Sequence, residues 1–391
     1  MDATVVGCFP EEQQQIFIKD NASAGVLRVV KLEEPDFPLE FYYMRETRRR
    51  VVIAFRSGRI SIDVRPSICP ALALTHSVGR FSCLLMPFYS VGLLNLLNYG
   101  LLPQQTLGSK RMKNTRAPHS SLNAPYRLLS PSSPPSLLRQ EEELVALYLS
   151  LELLWIAEGL HNHAKIIHGD IKPDNFRIND RFPFLNVSML DENVANAGAE
   201  ADGVASDNFT SCLMSDRCTK VLVLLDFGLC IDMARLPPGT VFTVGKKRSF
   251  PCIEMLTGQP WTYQAGPGIT HRLSIPHYCL LFSEPQLDLF NIAGVIYTLV
   301  FKHYMEVECF NGEWRPKVLP RSNRVYRAIE VWRNIFSALL NVRSCAPADY
   351  PDLAALRAQC EAFLLEHAAA YNVAAEKANA IICHLSLGFN E

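Results

Sequence analysis

The run His168-Gly169-Asp170-Ile171-Lys172-Pro173-Asp174-Asn175-Phe176 and the later Leu224-Leu225-Asp226-Phe227-Gly228 decide how this chain is read. The first sets an acid, then a lysine two residues on and an asparagine five residues on, in one short loop stiffened by Pro173. The second closes the apolar run Val221–Leu225 on Asp226, so a buried strand would present that carboxylate at its end. Phosphoryl transfer asks for such groups: a carboxylate at the acceptor hydroxyl, oxygens for Mg²⁺, and positive charge near the migrating phosphoryl group. Taken singly, Asp170 could be a turn residue and Asp226 a strand-end cap. Both segments, in this order and after a long helix, favour the chemical reading.

That helix is EEELVALYLSLELLWIAEGLHNH (residues 141–163), with acids in its first turn and apolar Leu144, Leu147, Leu151, Leu154 and Trp155. The pattern predicts a long, mostly buried helix whose start suits the helix dipole. A strand-like stretch, Lys165–Ile167, leads from it into the loop. The first hundred residues read at period two as short strands of a mixed sheet: residues 25–32, 41–44, 48–55, 59–64 and 83–90, with a helix around Leu39–Arg49. Residues 83–102 lack charge and raise the question of a membrane span. Pro87, Ser90, Asn95 and Asn98 favour a strand (Ser82–Met86) and a helix (Leu93–Tyr99) instead. Residues 103–140 and 177–219 are polar, without apolar periodicity, and read as inserts. Residues 287–305, 325–342 and 351–385 carry apolar residues at helical spacing.

At about 150 residues per domain, 391 residues suggest two to three compact units. Lys and Arg (38) against Asp and Glu (39) give a net charge of −1, which removes an electrostatic case for direct nucleic-acid or membrane binding. An apolar fraction of 49% with 20% charged residues is ordinary globular chemistry. The start MDATVVGCF has no basic-then-apolar signal pattern, and twelve Cys without a CxxC pair fit a reducing compartment, so an intracellular chain is expected.

HxDxKxxN followed by DFG resembles the protein-kinase superfamily. Residues 166–176 (IIHGDIKPDNF), 230–244 (CIDMARLPPGTVFTV), 252–255 (CIEM), 258–264 (GQPWTYQ), 26–43 and 87–98 are similar to the kinase domain of the mitotic spindle-checkpoint serine/threonine kinases, the budding-uninhibited-by-benzimidazole family. The resemblance implies an α+β, bilobal protein-kinase-like fold. Residues 1–98 would be a truncated, β-rich small lobe and residues 99–391 a larger, mainly helical lobe with inserts at 103–140, 177–219 and 265–285. It implies that Asp170 accepts the substrate hydroxyl proton, that Lys172 neutralises the γ-phosphate, and that Asn175 and Asp226 ligate Mg²⁺. Arg28, Lys31, Glu40, Pro87, Phe88 and Tyr89 would bind ATP, Glu254 would close the activation segment, and Asp288 would anchor the large lobe. The substrate would be a protein, a histone tail or a checkpoint protein, and kinetochore proteins would be partners, in the nucleus with a cytoplasmic pool possible. Gly169 stands where many kinases carry an arginine that docks a phosphorylated activation loop, so phosphorylation at Thr240, Thr243 or Ser249 should not be required.

Two departures are visible. No GxGxxG precedes residue 60, and Arg28 aligns where the phosphate-binding lysine belongs, with Lys31 three residues later. In a regular strand these two point to opposite faces. The alternative implied is a catalytically impaired pseudokinase or a checkpoint scaffold fragment.

Overall fold

The computed structural model describes residues 3–8, 15–20, 26–100, 140–186, 220–237, 241–242, 261–262, 287–317, 327–342 and 349–387. Strands β1 (Ala3–Cys8), β2 (Gln15–Asp20) and β3 (Val26–Glu33) precede helix α1 (Leu39–Arg56), and β4 (Ala73–Ser77) and β5 (Phe81–Pro87) follow it. The strands form one antiparallel sheet in the order β1-β2-β3-β5-β4. The start read as truncated therefore supplies two strands, paired from Ala3↔Asp20 to Cys8↔Ile16. Neither run, ATVVGC or QIFIKD, alternates apolar and polar residues along its length, so neither stands out at period two.

The stretches 41–44 and 48–55, expected as strands, both lie in α1, which runs past the expected end at Arg49. Met44, Thr47, Val51 and Ala54 are buried at three-to-four spacing, and that stripe outweighs the β-preference of Val51-Val52-Ile53. Residues 59–64 form no strand either; Ile62 and Val64 are buried and lead into a short 3₁₀ turn, Arg65–Ser67.

Strand β6 (Val91–Gly92) and helix α2 (Leu93–Tyr99) come next, so residues 82–86 and 93–99 are strand and helix as expected. Helix α3 (Gln140–Glu158) is buried at every residue from Glu143 to Ala157, which is why its sequence is apolar on all sides. Among the described residues, Glu141–Ala164 is the one helix long and apolar enough to cross a membrane, and its most apolar stretch is 94% buried inside the protein. Beyond it come β7 (Ile166–Ile167), β8 (Phe176–Ile178), β9 (Leu222–Leu224), β10 (Ile231–Asp232), and the paired β11 (Val241–Phe242) and β12 (Trp261–Thr262). Helix α4 (Leu287–Phe301), hairpin β13 (Val307–Phe310) and β14 (Glu313–Pro316), and helices α5 (Ile329–Leu340), α6 (Leu353–Glu366) and α7 (Ala368–Leu387) complete the lobe. Helices α4, α6 and α7 all pack on α3.

The hairpin was not anticipated, although Asn311-Gly312 signals it: both residues take positive φ (53° and 83°), as a two-residue turn between twisted strands requires. Residues 177–186, expected within the second insert, are instead part of the lobe. Backbone N–H groups of Phe182 and Leu185 donate to Asn379 Oδ1 and Asn372 Oδ1 of α7, both at 2.7 Å. Residues 103–139, 187–219 and 265–285 lie outside the described residues, as do Thr240, Thr243, Ser249 and Glu254.

Helix α3 ends in a π-helical turn, Gly159–Ala164, on which α1 packs. A Cβ at Gly159 would meet Val64 Cγ2 at 2.6 Å. Gly159→Ala is expected to lower stability by about 1–3 kcal/mol through overpacking, read as a lower midpoint in chemical unfolding. An unchanged midpoint would show that residues 59–64 yield freely.

Candidate active site

Strand β3 carries Lys31 on the same face as the buried Val29. The Lys31 ammonium lies 2.7 Å from Glu40 Oε2 on α1 and 3.0 Å from Asp226 Oδ1 in the large lobe. Glu33 Oε1, two residues along the same face, is 3.2 Å away. Arg28 points to the other face, registered between Ile18 of β2 and Pro87 of β5, and makes no ion pair among the described residues. Strand register thus decides which of the two cations meets the acids: Lys31, not Arg28.

Burial works to lower the Lys31 pKa, but Asp226 and then Glu40 outweigh it and hold it above the ordinary lysine value. Burial pushes the Glu40 carboxyl up to about 7 against the pull of Lys31. For Asp226, burial works upward too, but Lys31, with Lys172 after it, leaves the carboxyl below its usual value. Asp226 keeps 43% of its side chain exposed, whereas the next residue, Phe227, is fully buried. A left-handed backbone at Asp226 (φ 60°) produces that reversal. The Phe227 N–H donates to Glu40 Oε1 at 3.1 Å, so one carboxylate binds both the lysine and this turn.

The loop after β7 brings the other expected residues together. Lys172 Nζ is 2.8 Å from Asp170 Oδ2, and Asn175 Nδ2 donates to the same oxygen at 3.0 Å and to the Asp170 carbonyl at 2.8 Å. The Leu225 N–H donates to the Asn175 carbonyl at 2.9 Å, which places Asp226 directly beside this loop. Buried Asp288 on α4 holds the loop from below. It accepts from the N–H groups of His168 (2.6 Å) and Gly169 (2.8 Å) and from His161 Nε2 (3.0 Å). Burial pushes the Asp288 carboxyl up, and His161 more than offsets it, leaving the carboxyl below the usual range. Burial depresses the His168 imidazole, which stays neutral: Nε2–H donates to the Leu225 carbonyl (3.0 Å), and Nδ1 accepts from the Asp170 N–H (3.3 Å). Its ring sits edge-on to Phe227, 4.9 Å between centroids. His168 is thus a packing and positioning residue.

Pro87 ends β5, and Phe88 and Tyr89, half-buried against the core, carry the chain into β6 between the lobes. Sequence reading missed Glu33, for which its same-face spacing from Lys31 was a usable signal. It also missed Tyr304, a partly exposed phenol whose pKa is raised by burial and then by Asp174; nothing in its local sequence links it to the loop. The segment joining β1 to β2, residues 9–14 (FPEEQQ), contains two glutamates and no glycine, and lies outside the described residues.

Asp226 offers a partly exposed carboxylate beside Asn175, whose amide nitrogen is spent on Asp170 and whose amide oxygen is left to accept. Hard oxygen donors of this kind suit Mg²⁺, and the Lys31 ammonium beside them suits a phosphate.

No family model matches the chain. It is 30% identical over 204 residues to the Mus musculus mitotic checkpoint serine/threonine-protein kinase BUB1, covering 52% of this chain and 14% of that protein. Against the Saccharomyces cerevisiae spindle assembly checkpoint serine/threonine-protein kinase BUB1 it is 27% identical over 323 residues, 82% of this chain and 24% of that protein. Against the Arabidopsis thaliana mitotic checkpoint kinase BUB1 it is 26% identical over 354 residues, 89% of this chain and 50% of that protein. The chain spans half or less of the length of each of these relatives. Among solved structures, the BubR1 kinase domain superposes with a TM-score of 0.60 at 25% identity, covering 97% of this chain and 84% of that one. The homologues of this chain are BUB1 spindle-checkpoint kinases, and its fold is the bilobal α+β fold of a protein kinase.

Proposed function

We propose that this chain, with BUB1 checkpoint kinases as its homologues, is a protein serine/threonine kinase domain that transfers the γ-phosphate of ATP to protein hydroxyls in the spindle-assembly checkpoint. The observation that carries the reading is the bridge between the lobes: Lys31 held by Glu40 and Asp226 (2.7 and 3.0 Å), with the Asp170–Lys172–Asn175 loop tied alongside. Asn175 and Asp226 would hold Mg²⁺, which when bound neutralises charge on the phosphate oxygens. Lys31, kept protonated by its acids, is ready to bind phosphate. Asp170 orients a serine or threonine hydroxyl and takes its proton. Lys172, drawn to Asp170, stands where the transferred group would pass. The substrate is a protein, with a histone tail or a checkpoint protein as the expected class. Kinetochore proteins are the expected partners, and the nucleus and kinetochore, with a cytoplasmic pool, the expected location.

A second reading, a scaffold that transfers nothing, is favoured by the glycine-free segment at residues 9–14. The test is the melting temperature of the chain with ATP and Mg²⁺, together and separately, followed by labelled phosphate transfer to a histone mixture. The kinase reading expects a shift that needs both ligands, about 2.7 kcal/mol at a hundredfold excess over Kd, and label on serine or threonine. Absence of both would leave the scaffold.

A further inference from the structure

Helix α1 is pinned at a second place, far from the lysine. Arg50 NH1 donates to Asp232 Oδ1 and its NH2 to Asp232 Oδ2, both at 2.7 Å, a two-pronged pair that fixes direction as well as distance. The same guanidinium donates to the Ala164 carbonyl at 2.6 Å and to Glu46 Oε1 at 2.7 Å. Asp232 is 5% exposed and also accepts from the Tyr42 hydroxyl at 2.7 Å. It sits in β10, just after Asp226-Phe227-Gly228, and β10 pairs with β7, the strand entering the Asp170 loop (Ile231↔Ile167, Asp232↔Ile166). One side chain thus joins the helix bearing Glu40, the turn ending at Ala164, and the chain leaving Asp226.

We propose that Arg50 and Asp232 are positioning residues that hold α1 in the orientation in which Glu40 meets Lys31, so that this chain's own carboxylate does the work a phosphate on the activation segment would otherwise do. The inference rests on the kinase reading for its catalytic consequence, but not for its structural one. Ten residues at 1.5 Å rise separate Glu40 from Arg50, about 15 Å along a rigid helix. Two anchors that far apart, added to the buried Met44, Thr47, Val51 and Ala54 stripe between and beyond them, oppose both rotation and outward swing of α1. The buried pair sets geometry more than stability, since the desolvation of both ions offsets much of their attraction. Burial works to raise the Asp232 pKa, yet Arg50 and Tyr42 hold it below its usual value, in keeping with an ionised carboxylate.

The test uses the full chain with Asp232→Asn, and Tyr42→Phe as a milder variant. Hydrogen exchange is followed by mass spectrometry over peptides covering residues 39–56 and, for reference, 287–301. The expected result is exchange about tenfold faster in α1 for Asp232→Asn, a smaller rise for Tyr42→Phe, and no change in α4. In a phosphotransfer cycle, Glu40→Gln with Asp232→Asn should be no slower than Glu40→Gln alone by more than about twofold, because both act through one contact. Unchanged α1 exchange in a folded Asp232→Asn chain, or rate losses that multiply, would overturn the proposal. So would loss of the whole fold in both variants, which would assign the pair to general stability. If the unmodified chain transfers no phosphate, the kinase reading falls, while the exchange arm still decides the role of the pair.

Discussion

Asp170→Asn is expected to lower the rate of phosphate transfer by about 10²- to 10⁴-fold, the range a positioned general base contributes, with nucleotide binding and melting temperature nearly unchanged. The side chain is nearly buried and is held from two directions, by Lys172 Nζ at 2.8 Å and Asn175 Nδ2 at 3.0 Å. Asparagine has the same shape and can still accept from both through its oxygen, so the loop keeps its form. What it loses is the negative charge that orients a hydroxyl and receives its proton. The outcome to measure is kcat beside the ATP Kd, with the unfolding midpoint as a control. A variant within threefold of the parent in kcat would remove Asp170 from the chemistry.

The second large effect is on stability. Asp288→Ala is expected to cost about 3–5 kcal/mol in urea unfolding, as for other buried ion networks that lose one partner. The carboxylate serves two backbone N–H groups, of His168 and Gly169, and His161 Nε2; none is replaced by a methyl, and all stay away from water. The sign of the pH dependence follows. Because the folded Asp288 pKa is depressed, its contribution is present above the unfolded carboxylate value near 4 and is lost as pH falls through the folded value. The parent should therefore lose stability below about pH 4 more steeply than the alanine variant. A cost under about 1 kcal/mol, or parallel pH profiles, would show that water or a rearranged loop takes over the role of Asp288.

These expectations draw on different depths of information. The loop residues Asp170, Lys172 and Asn175 were legible because their grouping is local: five residues and a proline leave few ways to spread them apart. Asp226 was legible because an apolar run ending on an acid has to surface there. Lys31 against Arg28 was not, because a strand offers two faces and only pairing with β2 and β5 says which one meets α1. The β-branched run in α1 misled for a related reason: Val51 and Ala54 are helical because the lobe supplies a surface for one stripe, and local preference is too weak to resist it. Arg50 and Asp232 lie 182 residues apart, and nothing near either one hints at the other.

The sequence by itself determined the chemistry on offer, an acid–lysine–asparagine loop and a second acid at a strand end, and the resemblance those motifs carry implied the bilobal α+β fold. Spacing over a few residues is enforced by covalent geometry, so these features survive any arrangement of the rest. Only the tertiary structure decided which cation bridges the lobes, which acids hold it, and how α1 is fixed in place. Those are matters of strand register and of contacts between distant segments, settled by the burial of side chains that no short stretch of the chain contains.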